Sequence, residues 1–370
     1  MNVPAAPDLG YERLDFRIGL NPGRLLSDGV PWWDYRKAEE LVAADPDANW
    51  FDYWARLSRH YEPIGRDALA AGRELSGGRW LWLASMCSQY AQFIWFHEPE
   101  RREDEQRRKV QLYRDAAPHL SPPAERIEIP FEGTTITSYL RLPPAAAGPV
   151  ACVVLLGGLE STKEESYLFE NLLLERGMAT FAFDGPGQGE MFFDVKLLPD
   201  FHRYASAVVD YLVERPEIDP GRLGVLGRSL GGYYALHCAA ADARLKAAVC
   251  WGGTFDLSDF NIMPPHIARG FLYVSGHEVL ARGREYLQEA IDLTELAPEL
   301  RCPTMIMNGR LDAIFSTKQI AKFERHLVNA HIDYYLEDEG IHCAHNLWHV
   351  VRPRLADWLA ERLPDAADRP

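Results

Sequence analysis

Hydrophobic and polar positions change their rhythm near residue 125. Before that point the spacing is helical. Trp50 to Ala71 carries apolar residues at amphipathic-helix intervals, and Gly77-Gly78 are expected to break the chain after it. Arg79 to Phe96 (RWLWLASMCSQYAQFIWF) is apolar on most faces, which predicts a buried helix. Gln106 to Ala117 predicts another, stopped by Pro118 and Ser121-Pro122-Pro123. The aromatics Trp80, Trp82, Tyr90, Phe93, Trp95 and Phe96 read first as helix-packing core and second as the lining of a cavity.

After Pro123 the rhythm is that of strands alternating with helices. Arg126–Phe131 and Thr134–Leu142 pattern as an antiparallel pair around Glu132-Gly133. Short apolar runs follow at Ala151–Leu156, Ala179–Phe183, Leu223–Leu226, Ala247–Trp251, Thr304–Met307 and Ile332–Leu336. Helical patterns at Lys163–Arg176, Phe201–Arg215 and Thr317–Val328 separate most of them. Continuous apolar strands divided by helices predict an α/β fold, a mostly parallel sheet covered on both faces. The chain is thus expected to divide into a helical N-terminal segment, 1–125, and an α/β unit, 126–370. Between Thr254 and Pro303 the spacing stretches to about fifty residues, too long for one crossover, so an inserted lid element is expected at about 254–302.

Composition narrows the function classes. A net charge of −15 is a poor match to a phosphate backbone, which excludes nucleic acid as the partner. The basic runs Arg101-Arg102 and Arg107-Arg108-Lys109 are interleaved with Glu98, Glu100, Glu103, Asp104 and Glu105, which predicts a solvated helix face. No stretch approaches the roughly 18 apolar residues of a membrane span. The start, MNVPAAPDLGYERLDF, lacks the charged and apolar regions of a signal peptide, so a cytoplasmic protein is expected. The cysteines at 87, 152, 238, 250, 302 and 343 are scattered without C-x-x-C pairs, which indicates neither zinc nor a disulfide framework.

The chemistry is concentrated after the strand Leu223–Leu226. Gly227-Arg228-Ser229-Leu230-Gly231 matches G-x-S-x-G, and the helix-compatible stretch Tyr233–Ala241 follows. The motif requires this strand–turn–helix context, because it presents a serine hydroxyl at a sharp bend. Such a hydroxyl is a weak nucleophile until a base takes its proton and a third group orients that base. In the α/β-hydrolase fold the order is serine, acid, histidine. Asp312 follows the strand Thr304–Met307, and His342 follows Ile332–Leu336 and the turn at Gly340. Both therefore fall in loops beyond carboxyl ends of strands, where open α/β sheets build their sites. His345 is the rival base and Asp256 the alternative acid. Acyl transfer also needs donors for a developing oxyanion. The backbone N–H of Leu230 is one candidate, and that of Leu159, in the Gly157-Gly158-Leu159-Glu160 turn, is the other. Asp184-Gly185-Pro186-Gly187-Gln188-Gly189-Glu190 is not the dinucleotide spacing and reads as a rigid pocket loop, with Asp184 structural.

Gly157 to Glu165 (GGLESTKEE), DGPGQGE at 184–190, GRSLGG at 227–232, Trp251-Gly252-Gly253 and the N-terminal Ala70-Ala71-Gly72-Arg73 and Trp80–Phe93 segments carry a resemblance. They resemble the α/β-hydrolase family that contains 2,6-dihydroxypseudooxynicotine hydrolase and fungal polyketide-shortening hydrolases. The resemblance covers most of the chain. It implies a triad of Ser229, Asp312 and His342, a helical N-terminal cap over the catalytic domain, and a homodimer. It also implies a lid carboxylate. Thr254 to Arg269 departs from the family pattern and offers Asp256 and Asp259, and Glu160 is a further candidate at the substrate. The implied reaction is hydrolysis of a C–C bond beside a ketone in a small-molecule substrate, a β-diketone, acyl-aromatic or polyketide. Such chemistry needs no metal or organic cofactor. A carboxylesterase or thioesterase using the same triad is the alternative.

Overall fold

The change of rhythm near residue 125 is a change of architecture. The computed structural model describes residues 22–45, 48–144 and 148–364, so the opening stretch used to judge targeting lies outside the described residues. Among the described residues, five α-helices come first: α1 (Pro22–Ser27), α2 (Trp32–Ala44), α3 (Trp50–Ala70), α4 (Glu74–Gln92) and α5 (Pro99–Ala116). The remainder runs β1 (Glu125–Phe131), β2 (Thr134–Arg141), β3 (Val150–Leu156), α6 (Tyr167–Leu174), β4 (Ala179–Phe183), α7 (Phe201–Val213) and β5 (Ile218–Arg228). It continues with α8 (Leu230–Ala241), β6 (Leu245–Trp251), α9 (Pro265–Ser275), α10 (Leu280–Ala290) and β7 (Thr304–Gly309). Last come α11 (Lys318–His326), β8 (Ile332–Glu337) and α12 (Trp348–Arg362). Among the described residues, no helix is long and apolar enough to cross a membrane.

Eight strands form one sheet in the order β1-β2-β4-β3-β5-β6-β7-β8 among the described residues. β2 is antiparallel to β1 and β4, and every pairing from β4 to β8 is parallel. The alternation of side chains along β3 shows why its whole run is apolar. Cys152, Val154 and Leu156 pack with Phe181, Val208 and Tyr234 on one face. Ala151, Val153 and Leu155 pack with Phe169, Leu226, Val351 and Leu355 on the other. α9 and α10 occupy the long interval before β7, where the insertion was expected.

The N-terminal helices have their own core of Leu25, Trp50, Trp54, Leu81, Tyr90 and Leu112, which reaches Tyr139 of β2 and Tyr167 of α6. Trp82, Phe93, Trp95 and Phe96 are buried in it as well. Two expectations are corrected here. Gly77-Gly78 do not break the chain; they lie inside α4, and the turn is at Ala71-Gly72-Arg73. Their lack of a side chain serves packing. A Cβ on Gly77 would stand 3.0 Å from the Gly65 carbonyl oxygen of α3, and one on Gly78 would stand 2.7 Å from the His119 carbonyl oxygen. The buried helix also ends at Gln92, before Phe96.

A third correction concerns the charged helix. Arg107 and Asp104 are exposed as expected. Arg102, Glu105, Gln106 and Lys109, however, form a buried stripe at helical spacing on α5. Lys109 is fully buried, donating to Thr162 Oγ1 at 2.5 Å and pairing with Glu164 at 3.2 Å. A charge leaves water only where partners replace its hydration. Those partners lie more than fifty residues away, so the local charge pattern could not reveal them.

Candidate active site

The bend after β5 is set by crowding. Ser229 sits between β5 and α8 at φ 60° and ψ −127°, a conformation that side chains rarely adopt and that clusters at functional sites. A Cβ on Gly227 would fall 1.7 Å from the Gly231 carbonyl oxygen, and one on Gly231 would fall 2.4 Å from that of Leu156. Only glycine fits at either position. The Ser229 amide donates to the Trp251 carbonyl at 2.8 Å, which ties the bend to the end of β6.

Asp312 and His342 arrive from the ends of β7 and β8. The Ile314 and Phe315 amides donate to Asp312 Oδ1 at 2.8 and 2.9 Å, fixing the carboxylate, whose side chain has no exposed area. His342 opens a turn in which Cys343 and Ala344 have φ of 53° and 45°. Trp251 Nε1 donates to the Cys343 carbonyl at 2.7 Å and holds this turn against β6. With its proton on Nδ1, the His342 ring donates to Asp312 Oδ2 at 2.8 Å and accepts from Ser229 Oγ at 2.8 Å. Burial works against a charged imidazole, but the Asp312 carboxylate more than offsets it and holds the His342 pKa above its ordinary value. The structure therefore brings Ser229, His342 and Asp312 into one hydrogen-bonded line.

The other candidates fall elsewhere. His345 is buried behind the line, where desolvation and the charges of Arg228 and Arg24 push its pKa well below the usual range. Asp256 accepts from Lys322 at 2.5 Å, and both Asp256 and Asp259 accept from Gln319, so their partners lie on α11. Asp184 accepts from the Lys163 ammonium at 2.7 Å and from the Lys163 amide at 2.9 Å, a structural ion pair. Gly158 packs against Ser229: a Cβ on it would stand 3.3 Å from Ser229 Oγ. Leu159 comes next, and among the described residues its amide has no hydrogen-bond acceptor. The Leu230 amide begins α8, where an N–H has no partner within the helix. Glu160 Oε2 accepts from the Ile94 amide at 2.7 Å, joining this turn to the end of α4.

Sequence reasoning missed two supports. Gln188 of the glycine-rich loop donates to the Gly157 and Gly158 carbonyls at 2.6 and 3.0 Å, which orients the turn facing Ser229. Arg228, the residue before Ser229, donates to Asp28 at 3.2 Å and to Glu165 at 2.8 Å. Arg352 of α12 also donates to Asp28, at 2.5 Å. Burial disfavours a charge on Asp28, but Arg228, Arg352 and Arg24 hold its pKa well below the carboxylate range. Position in a nucleophile motif gave some signal for Arg228; nothing local marked Asp28.

Residues 39–263 match the family described as Esterase FrsA-like, and 192–338 match the dienelactone hydrolase family. The chain is 45% identical over 347 residues to 2,6-dihydropseudooxynicotine hydrolase of Paenarthrobacter nicotinovorans, covering 93% of this chain and 92% of that protein. The crystal structure of a 2,6-dihydroxy-pseudo-oxynicotine hydrolase superposes with a TM-score of 0.88 at 43% identity, covering 93% of this chain and 96% of that one. Hydrolase LUC6 of a Fusarium species is 33% identical over 64% of this chain and 59% of its own length.

Proposed function

The chain belongs to the FrsA-like esterase family of α/β-hydrolases, and from that premise we propose that it cleaves a C–C bond beside a ketone through Ser229, His342 and Asp312. The observation that carries the reading is the unbroken line from Ser229 Oγ through both ring nitrogens of His342 to Asp312. The hydroxyl attacks the ketone carbon as its proton passes to His342 Nε2. Asp312 holds the ring orientation and stabilises the imidazolium. The Leu159 and Leu230 amides face the oxyanion. Collapse breaks the C–C bond, and the departing carbon takes the proton back from Nε2, since carbon leaves badly as an anion. Water, activated by the same imidazole, then hydrolyses the acyl-enzyme. The similar Paenarthrobacter protein, named for 2,6-dihydropseudooxynicotine, supports a ketone of aromatic type as the substrate.

The esterase and dienelactone hydrolase families favour a second reading, ester hydrolysis by the same residues on an easier leaving group. A panel of aryl ketones, 1,3-diketones and matched esters separates the two. Carboxylic acid release from the ketones is expected, with kcat reduced about 10⁵-fold or more in Ser229→Ala. Rapid ester turnover without ketone cleavage would leave the esterase reading standing. Unchanged turnover by Ser229→Ala would end both.

A further inference from the structure

The glycine-rich loop at 184–190 supplies no member of the triad, yet it is built around one side chain, Gln188. Gly187 and Gly189 flank that residue at φ of 82° and 44°. A Cβ on Gly189 would fall 1.8 Å from Asp184 Oδ2, and Asp184 is itself held by the Lys163 ammonium. Gln188 is buried, and both ends of its amide are engaged. Oε1 accepts from the Gly185 amide at 3.1 Å, while Nε2 donates to the Gly157 and Gly158 carbonyls at 2.6 and 3.0 Å. The flipped amide would turn Oε1 against two carbonyl oxygens, so the side chain has one setting.

The bond to Gly158 has a consequence at Leu159. The Gly158 C=O and the Leu159 N–H belong to one peptide unit, which is planar and trans, so the two groups point in opposite directions. By holding the Gly158 oxygen, Gln188 also sets the direction of the Leu159 N–H. Gly158 is packed on the nucleophile turn, where a Cβ would lie 2.9 Å from Ser229 Cβ. The supports that α4 and its end provide act one residue further on. Gln89 Nε2 donates to the Glu160 carbonyl at 2.8 Å, and the Ile94 amide donates to the Glu160 carboxylate at 2.7 Å. Among the described residues, Gln188 alone grips the peptide unit that carries the Leu159 N–H.

We infer that Gln188 is a positioning residue for acyl transfer: it locks the Gly158-Leu159 peptide so that the N–H of Leu159 is aimed at the oxyanion before any charge develops. The inference rests on the reading of Ser229 as the nucleophile and of Leu159 as an oxyanion donor. A donor lowers a barrier most when its direction is set in advance, since a dipole that must turn during the reaction gives back part of the gain. Glycine leaves the backbone at 158 free to rotate, so the restraint has to come from elsewhere. The DGPGQGE loop thereby acquires a part in the reaction without touching a reacting atom.

The test compares the full chain with Gln188→Met, which keeps the side chain's length and removes its donors, and with Gln188→Glu, which keeps its shape and presents an acceptor instead. One readout is kcat and KM on whichever ketone or ester of the panel is turned over. The other is inhibition by trifluoroacetophenone. There Ser229 Oγ bonds to the carbonyl carbon, the C=O π pair moves to oxygen and the hydroxyl proton passes to His342 Nε2, so the adduct bears the oxyanion with no bond left to cleave. Both variants are expected to lose about 10²-fold in kcat with KM nearly unchanged, and the inhibitor is expected to weaken by a similar factor. Gln89→Met, which loosens the next residue's carbonyl, is expected to lower kcat far less. Thermal melts identify any variant that fails to fold, and Gln188→Glu decides if Gln188→Met does. A kcat that holds, a loss confined to KM, an undiminished inhibitor affinity, or an equal fall in Gln89→Met would overturn the inference alone. Inhibition that persists unchanged in Ser229→Ala would end the nucleophile reading, and this inference with it.

Discussion

The carboxyl edge of the sheet and the seam between the helices and the sheet lie on either side of Ser229, and they are built on opposite plans. At the edge, Ser229, Asp312 and His342 each sit in a short loop whose shape is set by neighbours within a few residues or at the end of a nearby strand. Two hydrogen bonds join them. In the seam, Asp28, in the turn after α1, meets Arg228 two hundred residues on and Arg352 more than three hundred on. Lys163 meets Asp184 and the partly exposed Glu190, and Lys109 meets Glu164; apart from Glu190 these groups are removed from solvent. The edge concentrates chemistry in a few partly open groups. The seam commits many buried charges to holding the helices against the Ser229 bend, an arrangement that is stable only while every charge has its counterpart.

That contrast can be broken at either side. Asp312→Asn should give the largest effect of three further variants, a loss of about 10⁴-fold in kcat, because the imidazole loses its orientation and its counter-charge. The sign of the pH change follows from the raised His342 pKa. The base works only when neutral, so kcat/KM climbs as pH rises through that pKa. Removing the carboxylate lowers the pKa and should move the acidic limb of the residual activity to lower pH. A limb that stays in place or moves upward would argue against Asp312 as the partner.

Asp28→Asn should strike the seam instead. It leaves Arg352 buried with its counter-charge removed and Arg228 with Glu165 alone, for a loss of about 3–5 kcal/mol in unfolding free energy, read from urea titrations. A change near zero would mean that water already shares this cluster. The smallest effect sharpens the picture of the helices themselves. Gly78→Ala places a methyl against the His119 backbone and should destabilise by about 1–3 kcal/mol, seen as a lower thermal midpoint. A stabilised variant would restore the view of Gly78 as a flexible breaker.

Ser229, Asp312 and His342 could be singled out because each follows an apolar strand within a few residues, and strand, turn and helix patterns are local. The succession of strands, the parallel sheet and the interval holding α9 and α10 were legible for the same reason. Gly77 and Gly78 were misread, since a glycine that opens a turn and one that admits a neighbouring helix look alike along a chain. Arg102, Gln106 and Lys109 were hidden inside a pattern of surface charge. The sequence by itself determined which hydroxyl is presented at the bend and which strands carry its neighbours. Only the tertiary structure decided which polar side chains are withdrawn from water, because burying a charge or an amide becomes tolerable through partners that folding brings from far along the chain.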